Sequence, residues 1–228
     1  MLNNYKLDKV KTLLSTLARG DLNTIATIIR FRLYSVVQGY GLVRDLREPF
    51  QTPSPKIPIT VRPLREKDIP IIFKRPVSGI KSEDFVERKR RMHLLKTNIG
   101  TCYVALTQED RPCYVQWRLT SDQNEMIRAF FGGWYPPIKE DEMILEYAFT
   151  LESYRSLGVM SCAMSQIAET GIDVGIRWAW TFVDTDNIPS LKGCVRAGFQ
   201  PAIIRREKWW LFGRKVIFES LPEGVRSF

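Results

Sequence analysis

The stretch ESYRSLGVMSCAMSQIAETG, Glu152 to Gly171, joins the end of an apolar, strand-like run to an apolar helical pattern. Arg155 and Gly158 lie at the joint. The first turn of a helix leaves backbone N–H groups without intrahelical partners, and the aligned peptide dipoles make that end positive. Glycine allows a ligand to approach the backbone closely, and arginine adds positive charge. The stretch therefore indicates a phosphate- or pyrophosphate-binding turn, with a plain surface turn as the alternative.

The composition is that of a globular chain with one main domain. The 228 residues include 44% hydrophobic residues, enough to bury a full core. The N-terminus shows no secretory pattern, and no apolar run approaches the roughly 20 residues that span a bilayer, so we expect a cytoplasmic protein. The four cysteines include no C-x-x-C pair and His93 is the only histidine, so we expect reduced, buried thiols and no metal site.

The net charge of +9 favours an anionic partner, but it does not choose among nucleic acid, a membrane surface and a phosphorylated small molecule. The densest basic cluster is ERKRRMH, Glu87 to His93, in which Glu87 and Arg91 are one helical turn apart and can pair. We interpret this cluster as a solvated helix face rather than a phosphate-binding patch. No sequence pattern of a nucleic-acid-binding module accompanies it, so we expect no nucleic-acid partner.

Three segments differ in pattern. Residues 1–48 carry two amphipathic patterns, LDKVKTLLSTLARG and DLNTIATIIRFRLYSVV, and predict an N-terminal helical extension. We expect this extension to dock on the protein's own core, with a membrane contact or a homodimer through it as alternatives. Residues 49–58 are proline-rich and predict a linker. Residues 59–228 form the predicted main domain.

Strand and helix patterns alternate in the main domain. Strands are predicted at Ile59 to Leu64, at Glu142 to Thr150 and at Ile176 to Val183, and hairpins at a turn over Glu109 to Pro112 and at a turn near Gly213. Helices are predicted after Leu64 and on to about Lys96, at Val159 to Thr170, and within NIPSLKGCVRAGF. This order indicates a mixed α/β (α+β) sheet domain with helices on both faces.

The segment Arg155-Ser-Leu-Gly158-Val-Met160 resembles the acyl-coenzyme A (acyl-CoA) motif [QR]-x-x-G-x-[GA] of the GCN5-related N-acetyltransferase (GNAT) superfamily. ITVRPLREKDIP, from Ile59, resembles that family's first strand and helix start, and NIPSLKGCVRAGF, from Asn187, resembles its late N-x-x-(small)…G-F signature. The three motifs occur in the family's order over about residues 59–218. The resemblance implies a mostly antiparallel GNAT sheet and an N-acyltransferase that moves an acyl group, in the first instance acetyl, from acyl-CoA to an amine acceptor.

The resemblance also implies where acyl-CoA binds. The strand at Glu142 to Thr150 should splay from the next strand, so that pantetheine enters the gap and one backbone N–H faces the thioester carbonyl. The implied cofactor-binding residues are Phe149, Thr150 and Leu151 for pantetheine, Arg155, Ser156, Leu157, Gly158, Val159 and Met160 for the pyrophosphate, and Asn187 and Ser190 on the other side.

Two positions depart from the family's pattern. Met160 stands where a glycine or alanine is usual, and its bulkier side chain would crowd the phosphates unless it points into the core. Cys194 stands where many members have a tyrosine that protonates the leaving thiolate. We therefore name Cys194 as a candidate proton donor, with a buried structural thiol as the alternative.

Glu146 is the first candidate for the general base that deprotonates the amine. A carboxylate inside the apolar run MILEYAFT is costly to bury without a purpose or a partner. The alternative is an ion pair with an arginine. Weaker candidates are carboxylates at strand ends, namely Glu152, Asp184 and Asp186.

The acceptor cannot be identified from these residues. Six aromatic side chains could wall a cleft for an amine, although aromatic residues in strands are mostly core: Trp134, Tyr135, Trp178, Trp180, Trp209 and Trp210. A non-catalytic acyl-CoA-binding or assembly module with the same fold is the second hypothesis, and Cys194 at the tyrosine position favours it slightly.

Overall fold

One eight-stranded sheet organises the protein. The computed structural model describes residues 22–73 and 82–222. The strands are β1 (Tyr34–Asp45), β2 (Ile59–Pro63), β3 (Thr101–Thr107), β4 (Pro112–Thr120), β5 (Glu142–Thr150), β6 (Trp178–Asp184), β7 (Gln200–Trp210) and β8 (Gly213–Ser220). Their spatial order is β2-β3-β4-β5-β6-β1-β7-β8. Every neighbouring pair is antiparallel except β5 and β6, which are parallel.

Helices cover both faces of this sheet, as predicted. The α-helices of the described residues are α1 (Leu22–Leu33), α2 (Ile69–Phe73), α3 (Ser82–Leu95), α4 (Asn124–Phe131), α5 (Val159–Glu169) and α6 (Ile188–Arg196). Side chains alternate between the faces along β5, so Leu145 packs with α5 and α6 while Ile144 packs with the apolar residues of α2 and α3. Among the described helices, none is both long enough and apolar enough to cross a bilayer.

The predicted hairpins are confirmed. β3 and β4 pair around residues 108–111, and β7 and β8 pair around a two-residue turn before Gly213. One element has no counterpart in the sequence-based prediction: α4 and the loop that follows it carry Trp134 and Tyr135 against the same face as Ile144. The first predicted amphipathic helix, within residues 7–20, lies outside the described residues.

The prediction of helix through residues 34–37 is wrong, and so is the wholly helical character of the extension. α1 ends at Leu33, and the chain continues as β1, which pairs with both β6 and β7 inside the main sheet. The β-branched residues Val36, Val37 and Val43 favour a strand, and the glycines among them disfavour a helix. Part of the predicted extension therefore shares its sheet with the predicted main domain.

The predicted linker contains neither helix nor strand, but it is packed. We call residues 50–56 the strap, because they run along α5. Thr52 Oγ1 donates a hydrogen bond of 2.8 Å to Glu169 Oε1, and Lys56 N donates one of 2.8 Å to Leu157 O. The strap thereby ends beside the turn that begins α5.

Candidate functional site

β5 and β6 separate after three residue pairs. Glu142–Ile144 pair with Trp178–Trp180, and no pairing between the two strands continues beyond them. β5 then bulges, because Tyr147 and Ala148 together lie opposite Gln116 of β4, and Tyr147 has a left-handed φ of 59°. A bulge bends its strand away from a neighbour. The structure thus contains the gap between these strands that the motifs imply.

Glu146 lies at the opening of this gap. Its Oε1 accepts a hydrogen bond of 2.7 Å from the amide of Phe182 on β6, and the hydroxyl of Tyr135 also hydrogen-bonds the carboxyl. Burial raises the pKa of Glu146 to about 7, while the positive charge of Arg205 opposes the rise. A carboxyl group with a pKa near neutrality is suited to accept a proton from an amine at physiological pH.

Arg205 and aromatic rings form a wall beside Glu146. Arg205 is 2% exposed, donates to Asp184 Oδ1 at 2.7 Å, and stacks 3.8 Å from the centre of the Trp134 ring. It reaches Asp184 by crossing β1 at Gly39, where a Cβ atom would lie 3.0 Å from Arg205 Nη2. The arginine near Glu146 is therefore already paired with another carboxylate. Trp134, which sequence placed among candidate cleft residues, lies in this wall.

The turn before α5 presents free backbone amides. Gly158, the N-cap residue, has a φ of 76°, and Ser156 has a φ of 63°, so both adopt the left-handed conformation. No side chain caps the helix, and within the described part of the chain the amides of residues 156–161 have no hydrogen-bond acceptor. Successive unpaired N–H groups at a helix start form a concave anion-binding arrangement. This geometry fits the pyrophosphate role that the motif implies.

The strap adds to this turn in a way that the sequence did not reveal. A Cβ atom at Gly158 would lie 3.3 Å from Pro55 Cα, so glycine here satisfies both the backbone conformation and the close approach of the strap. The exposed Lys56 follows directly, and its own amide is bonded to Leu157 O at 2.8 Å. The strap thus brings the backbone of a lysine to this turn from about a hundred residues away in sequence, a contact that only the fold creates.

Arg155 occupies a different position from the one expected. Its Nη2 donates to Asp84 Oδ1 at 2.6 Å, and its Nε donates to Thr150 O at 3.2 Å. The guanidinium therefore ties α3 to the end of β5, and its charge is balanced by a carboxylate. The Met160 side chain points away from the turn. Its sulfur packs against Gly193 of α6, where a Cβ atom added to the glycine would lie 3.0 Å from it.

The interpretation of the Glu87 to His93 cluster as a solvated face is wrong for two of its arginines. The predicted ion pair forms, with Arg91 Nη1 donating to Glu87 Oε2 at 2.6 Å. Arg91 is nevertheless buried and also donates to Tyr147 O at 2.9 Å and to Ala148 O at 2.7 Å. Arg88 is buried as well and donates to Ile72 O and to Glu152.

Arg91 satisfies two carbonyl groups of the β5 bulge, and a buried carbonyl without a partner is costly. Arg88 ties the end of α2 to Glu152, just after β5. Both guanidinium groups also surround the Phe149 ring, with Arg91 at 4.9 Å and Arg88 at 5.3 Å from its centre. A signal was present in the sequence: Asp84, Arg88 and Arg91 follow the spacing of one helical stripe, and all three are buried.

Two other predicted contacts are constrained by the structure. The amide of Leu151 donates to Cys113 O at 3.0 Å, so it does not face the gap as a free donor. Cys194 is 1% exposed within the apolar cluster, and burial raises the pKa of its thiol to about 12. Such a thiol is a poor proton donor, which favours the structural alternative. Asn187 caps α6 by accepting a hydrogen bond from Ser190 N at 3.3 Å.

Comparison with known proteins supports the fold. No protein-family model and no curated protein sequence matches the chain. An acetyltransferase of the GNAT family from Colwellia psychrerythraea aligns at a TM-score of 0.50 and 10% identity, over 87% of this chain and 62% of its own. A GCN5-related glucosamine N-acetyltransferase region of a fungal multi-domain GH3 β-N-acetylglucosaminidase aligns at 0.53 and 11% identity, over 82% of this chain and 22% of its own.

The chain thus spans slightly less than two thirds of the Colwellia protein. The mixed, mostly antiparallel sheet and the helices on its two faces match these structures. The protein has the GNAT fold, as the three sequence motifs predicted.

Proposed function

We propose that the protein is an acyl-CoA-dependent N-acyltransferase that transfers an acyl group to a primary amine, with acetyl as the first acyl group to test. One observation carries the proposal: the Glu146 carboxyl, with a pKa raised to about 7, lies where β5 and β6 separate. The carboxyl end of β5 leads into α5, and the first amides of α5 are unpaired in the described part of the chain. A base and an anion-binding turn therefore flank one gap.

The residues present fit acyl-CoA, which is a polyanion with a thioester at its far end. The amides of residues 156–161 and the side chain of Lys56 would hold the pyrophosphate, and the gap beside Phe149 and Thr150 would receive pantetheine. Asn187 and Ser190 at the start of α6 stay in the proposal as the second wall. Arg155 acts in it by fixing the end of β5 through Asp84 rather than as the main phosphate ligand.

Acyl-CoA supplies the activated acyl group as a thioester. Glu146 accepts a proton from the acceptor's nitrogen, which then forms a bond to the acyl carbon while the carbon–sulfur bond breaks. Solvent protonates the thiolate that leaves, because the Cys194 thiol is buried and has a raised pKa. Tyr135 hydrogen-bonds Glu146, and Trp134 stacks on Arg205, whose charge acts on Glu146, so these two rings would contact the acceptor.

The second candidate is a non-catalytic acyl-CoA-binding module. The burial of Cys194 favours it, because no proton donor stands at the position where many family members have tyrosine. Both candidates need the same cofactor site, so binding alone does not separate them.

The test combines a binding measurement with a turnover measurement. Titration calorimetry with acetyl-CoA asks whether the site binds, and release of free thiol in the presence of amino sugars, amino acids, peptides and simple amines asks whether it turns over. We expect binding and amine-dependent thiol release, with Glu146→Gln retaining the first and losing the second. Binding without turnover for every amine would support the module, and failure to bind any acyl-CoA would reject both candidates.

A further inference from the structure

Large apolar side chains are exposed at the end of the sheet towards which the β5–β6 gap opens, on β1, β7 and the end of α1. We call this surface the apolar tip. Its members are 38–64% exposed and comprise Ile29, Phe31, Leu33, Tyr34, Val36, Trp210, Leu211 and Phe212. They are contiguous, because Tyr34 and Trp210 are paired across β1 and β7 with ring centres 5.9 Å apart, and Leu211 N donates to Leu33 O at 3.0 Å.

The turn at the centre of the tip has an unfavourable sequence for its conformation. Leu211 and Phe212 connect β7 to β8, and their φ angles of 46° and 66° are both left-handed. A two-residue hairpin turn with two positive φ angles is the type that asparagine and glycine adopt most readily. Here it holds two large apolar residues, which are strained in this conformation and also exposed to solvent. Strained residues of this kind cluster at functional sites.

Basic residues surround the tip. Arg30 and Arg32 lie on α1, and Lys208 and Lys215 are exposed or partly exposed partners across β7 and β8. Within residues 29–36 and 207–215 the only acidic residue is Glu207, which is buried and paired with Arg214. The tip therefore combines exposed aromatic and aliphatic groups with a rim of positive charge.

We propose that the apolar tip binds the surface of an anionic lipid membrane. Tryptophan and tyrosine favour the boundary between headgroups and acyl chains, where their rings are both apolar and polar. Leu211 and Phe212 at the end of a narrow hairpin can enter that boundary while the basic rim contacts acidic headgroups. A second protein copy would need a complementary acidic surface at the same place, and the tip offers none to itself.

The experiment is co-sedimentation of the full chain with vesicles of phosphatidylcholine alone or with 30% phosphatidylserine. We expect binding to the anionic vesicles that weakens as NaCl is raised, and little binding to the neutral ones. The key variant is Leu211→Asn/Phe212→Gly, which supplies the residues that this turn prefers, so it should fold at least as stably as wild type. Its affinity for anionic vesicles should be lower than that of wild type by about tenfold or more.

A charge variant and a control complete the test. Lys208→Glu/Lys215→Glu should reduce binding by about fivefold or more per residue. The control is Ile172→Asn/Val174→Asn. Its two side chains are 52% and 61% exposed and lie near the opposite end of β1 from the tip, so this variant should bind vesicles like wild type. Wild type that fails to bind anionic vesicles, or a turn variant that binds equally well, would overturn the proposal. A concentration-dependent dimer that the turn variant abolishes, without vesicle binding, would instead make the tip an interface between copies.

Discussion

Glu146 Oε1 accepts a 2.7 Å hydrogen bond from the amide of Phe182, across the place where β5 and β6 cease to pair. In a continuous parallel sheet this amide would donate to a carbonyl of the neighbouring strand. Here a side-chain carboxyl replaces that carbonyl, because the bulge at Tyr147 has moved the β5 backbone away. The bond therefore fixes the carboxyl at the opening of the gap, and it makes Glu146 the residue on which the proposed chemistry depends.

The first prediction concerns the dependence of activity on pH. Since only the ionised carboxyl can accept a proton, kcat/KM should rise with pH through the pKa of Glu146, about 7. Glu146→Gln should lose about 10²–10³-fold in kcat while its Kd for acetyl-CoA stays within about twofold. Rates of thiol release, measured at a series of pH values from 5 to 9, test this prediction. Two acceptors whose amines differ in pKa serve as the control, and a limb near pH 7 that persists in Glu146→Gln would contradict the assignment.

The second prediction concerns stability. Burial raises the pKa of Glu146 from 4.5 to about 7, so between these pH values the native state binds more protons than the unfolded state. The free energy of unfolding should therefore fall as pH rises through this window. Glu146→Gln has no charge to bury, so it should exceed wild type by roughly 1–3 kcal/mol at pH 8 and match it near pH 4. Urea unfolding at both pH values measures this, and an equal difference at both would show that the carboxyl is not desolvated.

The third prediction concerns the strap. Lys56→Glu reverses the charge beside the amides of residues 156–161 but keeps the backbone bond to Leu157 O. It should weaken acetyl-CoA binding by about five- to tenfold, with a smaller effect at high salt, because exposed charges are screened. Lys96→Glu is the matched control, since Lys96 is also exposed but follows α3 at a distance from the turn. Equal Kd values for the two variants would place the phosphates elsewhere.

The fold was predictable where local patterns agree with one another. The sequence around Gly158 combines a strand end, a glycine and an apolar helix, and the structure has this order. β1 was missed because an amphipathic helical stripe continues up to it, and its own signal lay in Val36, Val37 and the glycines after them. Pairing of an N-terminal strand between β6 and β7 is a long-range contact that no local pattern specifies.

The site was predictable only in part, for a similar reason. Glu146 stood out because a carboxylate interrupts an apolar strand, and the structure gives it a raised pKa. The positions of Lys56 beside Leu157 and of Arg155 beside Asp84 depend on segments that meet only in the folded chain. The buried role of Arg91 depends on a bulge in a strand 56 residues away along the chain.

The fourth prediction compares neighbouring arginines of α3. Arg91→Met removes the donors to Tyr147 O and Ala148 O and leaves both carbonyls of the β5 bulge without them. Because unpaired buried polar groups are costly, we expect a loss of about 2–4 kcal/mol in the free energy of unfolding. Arg90→Met is the control, since the Arg90 side chain is 66% exposed and pairs only at the surface with Glu87. It should cost less than about 0.5 kcal/mol.

Urea unfolding of the two variants at pH 7 gives the comparison, and acetyl-CoA titration of the folded Arg91→Met protein adds a functional measure. If Arg91 holds the bulge that opens the gap, its loss should also weaken acetyl-CoA binding, by about tenfold, whereas Arg90→Met should bind like wild type. Two variants of equal stability would show that the bulge persists without Arg91. A destabilised Arg91→Met protein with unchanged Kd would separate the stability of β5 from the shape of the gap.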